Sequence, residues 1–323
     1  MPPLNLPMTP IQEAVPRKPR SPLLAILACG MCLAFIAGLF FFSTKESGRT
    51  SDATDGAVAS STNTQKSHSS FDNMTLEAKA VYVVDIRDDA ALFAKNSDVT
   101  LPLASVSKLL TALVATKNLS PEVAVTIPQE ALNTEGESGL FAGEVWNLAD
   151  LIGFMLLTSS NDAATALKLA YEKETGGSFI AAMNTEAATL GMTRSHFMNE
   201  TGLDIGEKPS NTGSARDAAL LLASALKTMP DGLDVTRHDS FTFTSRTGNT
   251  HTVKSTNMLA NTIPWAVGAK TGFTDSAGGN LAVSFDVTLG RPVVIVVLGS
   301  SREGRFADME TLVAATLAFF EAL

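Results

Sequence analysis

Ser105-Val106-Ser107-Lys108 sets hydroxyls and an amine at the head of an apolar run. On a helix, residues three apart are neighbours, while adjacent residues diverge by about 100°. Ser105 and Lys108 therefore share a face, and Ser107 does not share it with Lys108. A serine becomes a nucleophile when a base takes its proton, and a neutral lysine can be that base. At its ordinary pKa of about 10.4, Lys108 would keep its proton. Desolvation by the apolar helix and the charge of a second lysine, Lys270, would both lower that value. Ser105 also falls at a predicted helix start, where free N–H groups and the helix dipole favour developing negative charge. Ser105 is thus the candidate nucleophile and Lys108 its base. The alternative is an N-capping serine followed by a solvent-facing lysine.

A single S-x-x-K is weak, since ordinary composition yields about one per chain of this size. Ser224-Ala225-Leu226-Lys227 is a second one. S-x-N occurs three times, at Ser61-Thr62-Asn63, Ser159-Ser160-Asn161 and Ser255-Thr256-Asn257, whereas K-T-G occurs once, at Lys270-Thr271-Gly272. The information lies in the order: S-x-x-K at a helix start, S-x-N at a helix break, K-T-G on a late strand. That ordered set marks penicillin-binding proteins and class A β-lactamases. Ser61 sits in a polar tether and Ser224 inside an amphipathic helix, so both read as bland. Asn257 lies close enough before K-T-G to help shape the site.

These residues need a scaffold. AVYVVDI (80–86) and ALFAKN (91–96) predict a hairpin. Apolar periodicity predicts helices over 105–117, 148–157, 162–171, 215–227 and 305–322. Strand character appears at 239–245, 281–287 and 292–299. Strands at both ends with helices between imply an α+β domain, with one antiparallel sheet built from the two termini and a helical insert. The last helix, with Leu312, Val313, Leu317, Phe319 and Phe320, reads as packing on that sheet.

The remaining composition narrows the function. The 323 residues carry a formal charge of −9 with 7% aromatics, which argues against nucleic acid as a partner. Cys29 and Cys32 are the only cysteines. Both lie in the N-terminal apolar stretch, so no thiol nucleophile, cysteine zinc site or disulfide serves the rest. His68, His196, His238 and His251 lack a nucleophile motif nearby and any metal-binding spacing, and they read as surface or structural residues. Residues 23–42 are 20 uncharged, mostly apolar residues, long enough to span a bilayer. Arg17, Lys18 and Arg20 precede them, which places residues 1–22 in the cytoplasm and the bulk of the chain outside. Phe40 to Phe42 run straight into polar sequence with no small-residue cleavage site, so the span reads as an uncleaved anchor. Residues 43–70 are rich in Ser, Thr, Gly and Asp and form a tether reaching about 30 Å as a random coil. Residues 71–323 are the catalytic domain.

From about Ala78 onward the chain resembles the D-alanyl-D-alanine carboxypeptidases of the low-molecular-mass penicillin-binding proteins, serine peptidase family S11. Ala104 to Ala112 is similar to the nucleophile segment. Gly143-Glu144, Leu148 to Leu151 and Ser159 to Ala164 resemble the second block. Phe197-Met198-Asn199-Glu200-Thr201-Gly202-Leu203 and Ser214-Ala215-Arg216-Asp217 resemble further signatures, and Gly268 to Thr274 followed by Ala277-Gly278 the third block. The resemblance implies a β-lactamase/transpeptidase-like fold: an antiparallel sheet flanked by helices plus a helical subdomain. It implies that Ser105 attacks the penultimate D-alanine carbonyl of a peptidoglycan stem peptide and Lys108 takes its proton. Ser159 and Lys270 pass a proton to the departing amine, and Asn161 binds the substrate backbone. Lys270, Thr271 and Thr274 receive the terminal carboxylate. The N–H groups of Ser105 and Phe273 form the oxyanion hole, and Gly272 lets the substrate lie close. It implies β-lactams as covalent inhibitors and no metal or cofactor.

Ser160 departs from the glycine or alanine common in the family, Phe273 from His or Tyr, and Glu200 from proline. Three rivals use similar residues. A D,D-endopeptidase would cut cross-links. A β-lactamase would need a second base, for which Glu200 in Glu200-Thr201-Gly202-Leu203-Asp204 is the superficial match. A penicillin sensor would be acylated without turnover.

Overall fold

The computed structural model describes residues 69–136 and 139–323. The predicted cytoplasmic segment 1–22, the anchor 23–42 and the tether up to residue 68 lie outside the described residues. So do Cys29, Cys32, Ser61 and His68.

Strands β1 (Ala80–Asp85) and β2 (Ala90–Lys95) make the predicted hairpin. There follow β3 (Leu101–Pro102), a 3-10 turn (Ala104–Ser107), α1 (Lys108–Asn118), β4 (Ala124–Thr126) and β5 (Val145–Asn147). Next come α2 (Leu148–Thr158), α3 (Asn161–Thr175), α4 (Phe179–Thr189), β6 (Thr212–Gly213), α5 (Ala215–Thr228) and α6 (Pro230–Asp234). The chain finishes with β7 (Ser240–Thr244), β8 (Thr250–Lys254), β9 (Ala266–Thr274), β10 (Gly278–Thr288), β11 (Arg291–Ser300) and α7 (Gly304–Glu321).

The main sheet is antiparallel throughout, in the order β2-β1-β11-β10-β9. It joins the first strands to the last, as the α+β reading requires. Period-two alternation splits its side chains between two cores. Tyr82, Val84, Ala282, Val294 and Val296 face the helical side. Val81, Val83, Leu281, Val283, Phe285, Val293 and Ile295 face α7 and the Ser69–Phe71 turn. The central run Val293 to Leu298 is fully buried, each side chain contributing about 1.5–3 kcal/mol. Helix α7 packs on the sheet through Phe306, Met309, Leu312 and Val313, as predicted.

Two elements differ from the sequence reading. Residues 239–245 do form a strand, but β7 pairs only with β8 in a separate hairpin and not in the main sheet. Its residues alternate Ser-Phe-Thr-Phe-Thr, and only Phe243 is buried, against Trp146 and Phe154. Helix α4 was not predicted. Its fully buried stripe is just Phe179, Met183 and Ala187, and the apolar Ile180, Ala181 and Ala182 beside it blur the helical period.

Three joints position the candidate site. The 3-10 turn enters α1 against β9. The α2–α3 junction presents Ser159 to Asn161. The loop 197–203 runs beneath the start of α1.

Candidate active site

Ser105 sits in the 3-10 turn ahead of α1, not in the first turn of the α-helix itself. Residues three apart eclipse in 3-10 geometry, so the turn brings Ser105 and Lys108 closer in line than an α-helix would. Ala104, just before the nucleophile, has φ 47°, a left-handed conformation that costs a non-glycine residue about 1–3 kcal/mol. Two glycines make room for this turn. A Cβ on Gly202 would lie 2.1 Å from the Ala104 carbonyl oxygen, and one on Gly272 would lie 2.9 Å from that of Leu103. The open face of Gly272 is therefore filled by the backbone of the nucleophile turn.

Lys108 is wholly buried. Its Nζ lies 2.9 Å from Ser105 Oγ, 2.6 Å from Asn161 Oδ1 and 2.6 Å from the Thr201 carbonyl oxygen. Two of these three oxygens can only accept. A neutral amine therefore gives its two hydrogens to Asn161 and Thr201, and its lone pair is left facing the Ser105 hydroxyl. Burial pushes the Lys108 pKa down to about 7, partly opposed by the Glu200 carboxylate. Desolvation is thus the cause the sequence anticipated. The expected contribution of Lys270 is not among those that act on Lys108.

Lys270 is also buried, and its Nζ donates to Ser159 Oγ and to the Thr271 carbonyl, each at 2.8 Å. Its pKa lies well below the ordinary lysine value, through burial first and then the charges of Lys108 and Arg305. Ser159 adopts φ 62° at the end of α2, and Ser160 caps α3 by accepting from the Ala163 N–H at 3.0 Å. The family departure at Ser160 is thus a helix cap. Asn161 spans the site, accepting from Lys108 and donating through Nδ2 to the Glu135 carbonyl at 2.7 Å.

On β9, Thr271 shares a 2.6 Å hydrogen bond with Thr256, the middle residue of the third S-x-N. Asn257 instead holds its own turn by accepting from the Leu259 N–H. Thr274 donates to Asp204, and the Arg302 guanidinium lies 3.8 Å over the Phe273 ring. A cleft of about 660 Å³ opens here, lined by Glu135, Asp204, Phe273, Thr274 and Arg302 among others. The structure thus brings all nine predicted residues to one site.

Sequence reasoning missed three contributors. Arg302 supplies a cation beside the K-T-G strand. Arg305 donates to the Gly272 carbonyl at 2.6 Å, holding that strand from behind. Asn211 donates to Ser107 Oγ and the Asn199 carbonyl and accepts from the N–H groups of Met198 and Asn199, so it fixes the loop beneath Lys108. No motif flagged it; the adjacent signature 197–203 was the available signal.

Several rival features are accounted for by packing. Lys227 of the second S-x-x-K is exposed on α5. His251 is buried against Glu144, 2.9 Å away, and stacks near Trp146. The Glu200 carboxylate is engaged by α3: its Oε1 accepts from Thr165 and its Oε2 pairs with Lys168.

The sequence pattern of the peptidase family S11, D-alanyl-D-alanine carboxypeptidase, matches residues 62–302. The chain belongs to the S11 peptidases. It is 33% identical over 238 residues to the D-alanyl-D-alanine endopeptidase of Escherichia coli (strain K12), covering 71% of this chain and 74% of that protein. It is 31% identical over 233 residues to the D-alanyl-D-alanine carboxypeptidase DacB2 of Mycobacterium tuberculosis (strain ATCC 25618 / H37Rv), covering 70% and 77%. Among solved structures, penicillin-binding protein D2 from Listeria monocytogenes in its cefotaxime-bound form superimposes with a TM-score of 0.65. That match has 30% identity and covers 77% of this chain and 99% of that one. The S11 match takes in all three catalytic motifs, and the α+β fold is that of penicillin-binding proteins.

Proposed function

We propose that this S11 peptidase is a D-alanyl-D-alanine carboxypeptidase acting on peptidoglycan stem peptides through an acyl-enzyme on Ser105. The observation that carries the reading is the single direction left open at Lys108: its lone pair faces only the Ser105 hydroxyl. Lys108 takes that proton as Ser105 Oγ bonds to the carbonyl carbon of the penultimate D-alanine. The oxyanion then lies between the N–H groups of Ser105 and Phe273. The carbon–nitrogen bond breaks, and Ser159, backed by Lys270, supplies the proton to the departing amine. Water then attacks the ester carbonyl and the bond to Ser105 Oγ breaks; Lys108 returns its proton to that oxygen, and the proton lost by the water replaces the one that Ser159 and Lys270 gave to the amine. The terminal carboxylate is received by Thr271 and Thr274, with Arg302 as the adjacent cation. A carboxylate beside Lys270 also favours its protonated form.

A second reading keeps the same chemistry with a cross-linked amine as leaving group, since relatives at 33% and 31% identity are D-alanyl-D-alanine endopeptidases. The β-lactamase reading loses its second base, because Glu200 is committed to Thr165 and Lys168. The apolar segment 23–42 serves as the anchor that keeps the domain on the outer side of the cytoplasmic membrane, a reading supported by the basic residues before it.

The test is release of free D-alanine by the full chain from a peptide ending in D-alanyl-D-alanine, alongside a cross-linked dimer, with Ser105→Ala as control. Release from the linear peptide that disappears in the variant is expected. Cleavage of the dimer alone would favour the endopeptidase. Equal release by Ser105→Ala would overturn both.

A further inference from the structure

The loop beneath Lys108 carries a charge that neither the catalytic motifs nor the proton transfers use. Glu200 is only 6% exposed, and its neighbours in the chain and in space are organised around the base. The Glu200 carbonyl accepts from Thr111 on α1 at 2.7 Å, and the next carbonyl, of Thr201, accepts from Lys108 Nζ. The carboxylate is held from the other side by two residues of α3. Thr165 Oγ1 donates to it at 2.9 Å, and Lys168 Nζ lies 3.6 Å away. Lys168 keeps about a third of its side-chain surface in water, so its screening of Glu200 is incomplete. A buried, fixed negative charge thus stands behind the anchor of the catalytic amine, with a weaker positive charge behind it.

We infer that Glu200 is a positioning residue whose fixed negative charge, graded by Lys168, sets the pH range over which Lys108 can act as the base. This rests on the Ser105–Lys108 reading above. The physical reason is that a nearby negative charge favours an ammonium over an amine. Without it, burial would hold Lys108 neutral to lower pH, and the arriving serine proton would find a less basic acceptor. The Glu200 carboxylate accordingly opposes the lowering of the Lys108 pKa by burial. The other charged groups around it are Lys270 on β9, Arg305 on α7 behind Lys270, and Asp162 in the first turn of α3, next to Asn161 in the chain. None of them is altered in the test. On the neighbouring helices, Asp217 of α5 is engaged by the Arg194 N–H and Ser195, and Glu186 of α4 by Lys117.

The experiment measures the rate at which benzylpenicillin acylates Ser105 in the full chain across pH 5 to 9, at roughly half-unit steps. Glu200→Gln keeps an oxygen to accept from Thr165 and removes the charge. Its acid limb is expected to move down by about one pH unit. Lys168→Met removes the screening cation, and its limb is expected to move up by about a few tenths of a unit. Opposite shifts cannot come from loosening of the loop, which lowers rates without moving the limb in two directions. If Glu200→Gln does not fold, the upward shift in Lys168→Met carries the test by itself. Wild-type acylation with limbs unmoved in the folded variants would overturn the inference and leave the Ser105 reading standing. Absence of acylation of the wild type at every pH would overturn that reading and the inference together.

Discussion

Lys108 and Lys270 make a natural pair for comparison. Both are buried lysines, and each lies against a serine hydroxyl, at 2.9 Å and 2.8 Å. Their surroundings differ in charge. Lys108 has three oxygen partners and a carboxylate behind the loop that holds it. Lys270 has two oxygen partners and faces two other cations, Lys108 and Arg305. Burial lowers both, but the neighbouring charges separate them. The one left near neutrality is poised as a general base, because a base works best when its pKa is close to the working pH. The other is lowered by burial and by two neighbouring cations, and a substrate carboxylate would offset those charges.

The largest effect expected is on the first lysine. Lys108→Met should reduce D-alanine release by about 10³-fold, within the range for loss of a general base, and Lys270→Met by about 10²-fold. Measured kcat/KM values in the reverse order would break the comparison. Gly202 lies under the Lys108 side of the site, where a Cβ would press on the Ala104 carbonyl at 2.1 Å. Gly202→Ala should cost about 3 kcal/mol by denaturant unfolding, since that carbonyl belongs to the rigid nucleophile turn. An unchanged midpoint would mean that the turn yields.

The pH profile sharpens the comparison further. Only neutral Lys108 accepts a proton, so kcat/KM should rise about tenfold per unit below its pKa of about 7 and level off above it. Lys270→Met should leave that limb in place, because burial and the Glu200 carboxylate, and not Lys270, set the Lys108 pKa. An upward shift in the variant would show instead that Lys270 is charged there. The smallest effect concerns Ser160, which stands between Ser159, the partner of Lys270, and Asn161, the partner of Lys108. Ser160→Ala removes the α3 cap and should lower stability by about 1 kcal/mol in thermal or denaturant melts.

Much of the site was legible in the linear sequence. Ser105 and Lys108 are three apart, so any helical turn joins them, and the 3-10 turn does so as well. Ser159 and Asn161 sit where α2 must stop, because Thr158-Ser159-Ser160 ends an apolar stripe and Ser160 starts a new helix. The apolar strand segments at 80–86, 281–287 and 292–299 announced one antiparallel sheet built from the two termini. The strand at 239–245 was legible too, but its partner was not, since alternation identifies a face and says nothing about which edge pairs with it. Helix α4 escaped because Ile180, Ala181 and Ala182 fill the gap between Phe179 and Met183, so no helical period stands out.

The order of residues alone set the chemistry on offer: a serine and lysine within one turn, a second serine at a helix break, a K-T-G strand, and an apolar sheet to carry them. Tertiary structure decided what those groups are worth. It buried both lysines and placed Asn161 and the Thr201 carbonyl so that only Ser105 could meet the Lys108 lone pair. It also paired the Glu200 carboxylate with Thr165 and Lys168. Spacing along a chain fixes neighbours within a turn. Desolvation and charge arrive from elements 53 to 93 residues away, the separations at which Asn161 and Thr201 reach Lys108, and only the fold brings them there.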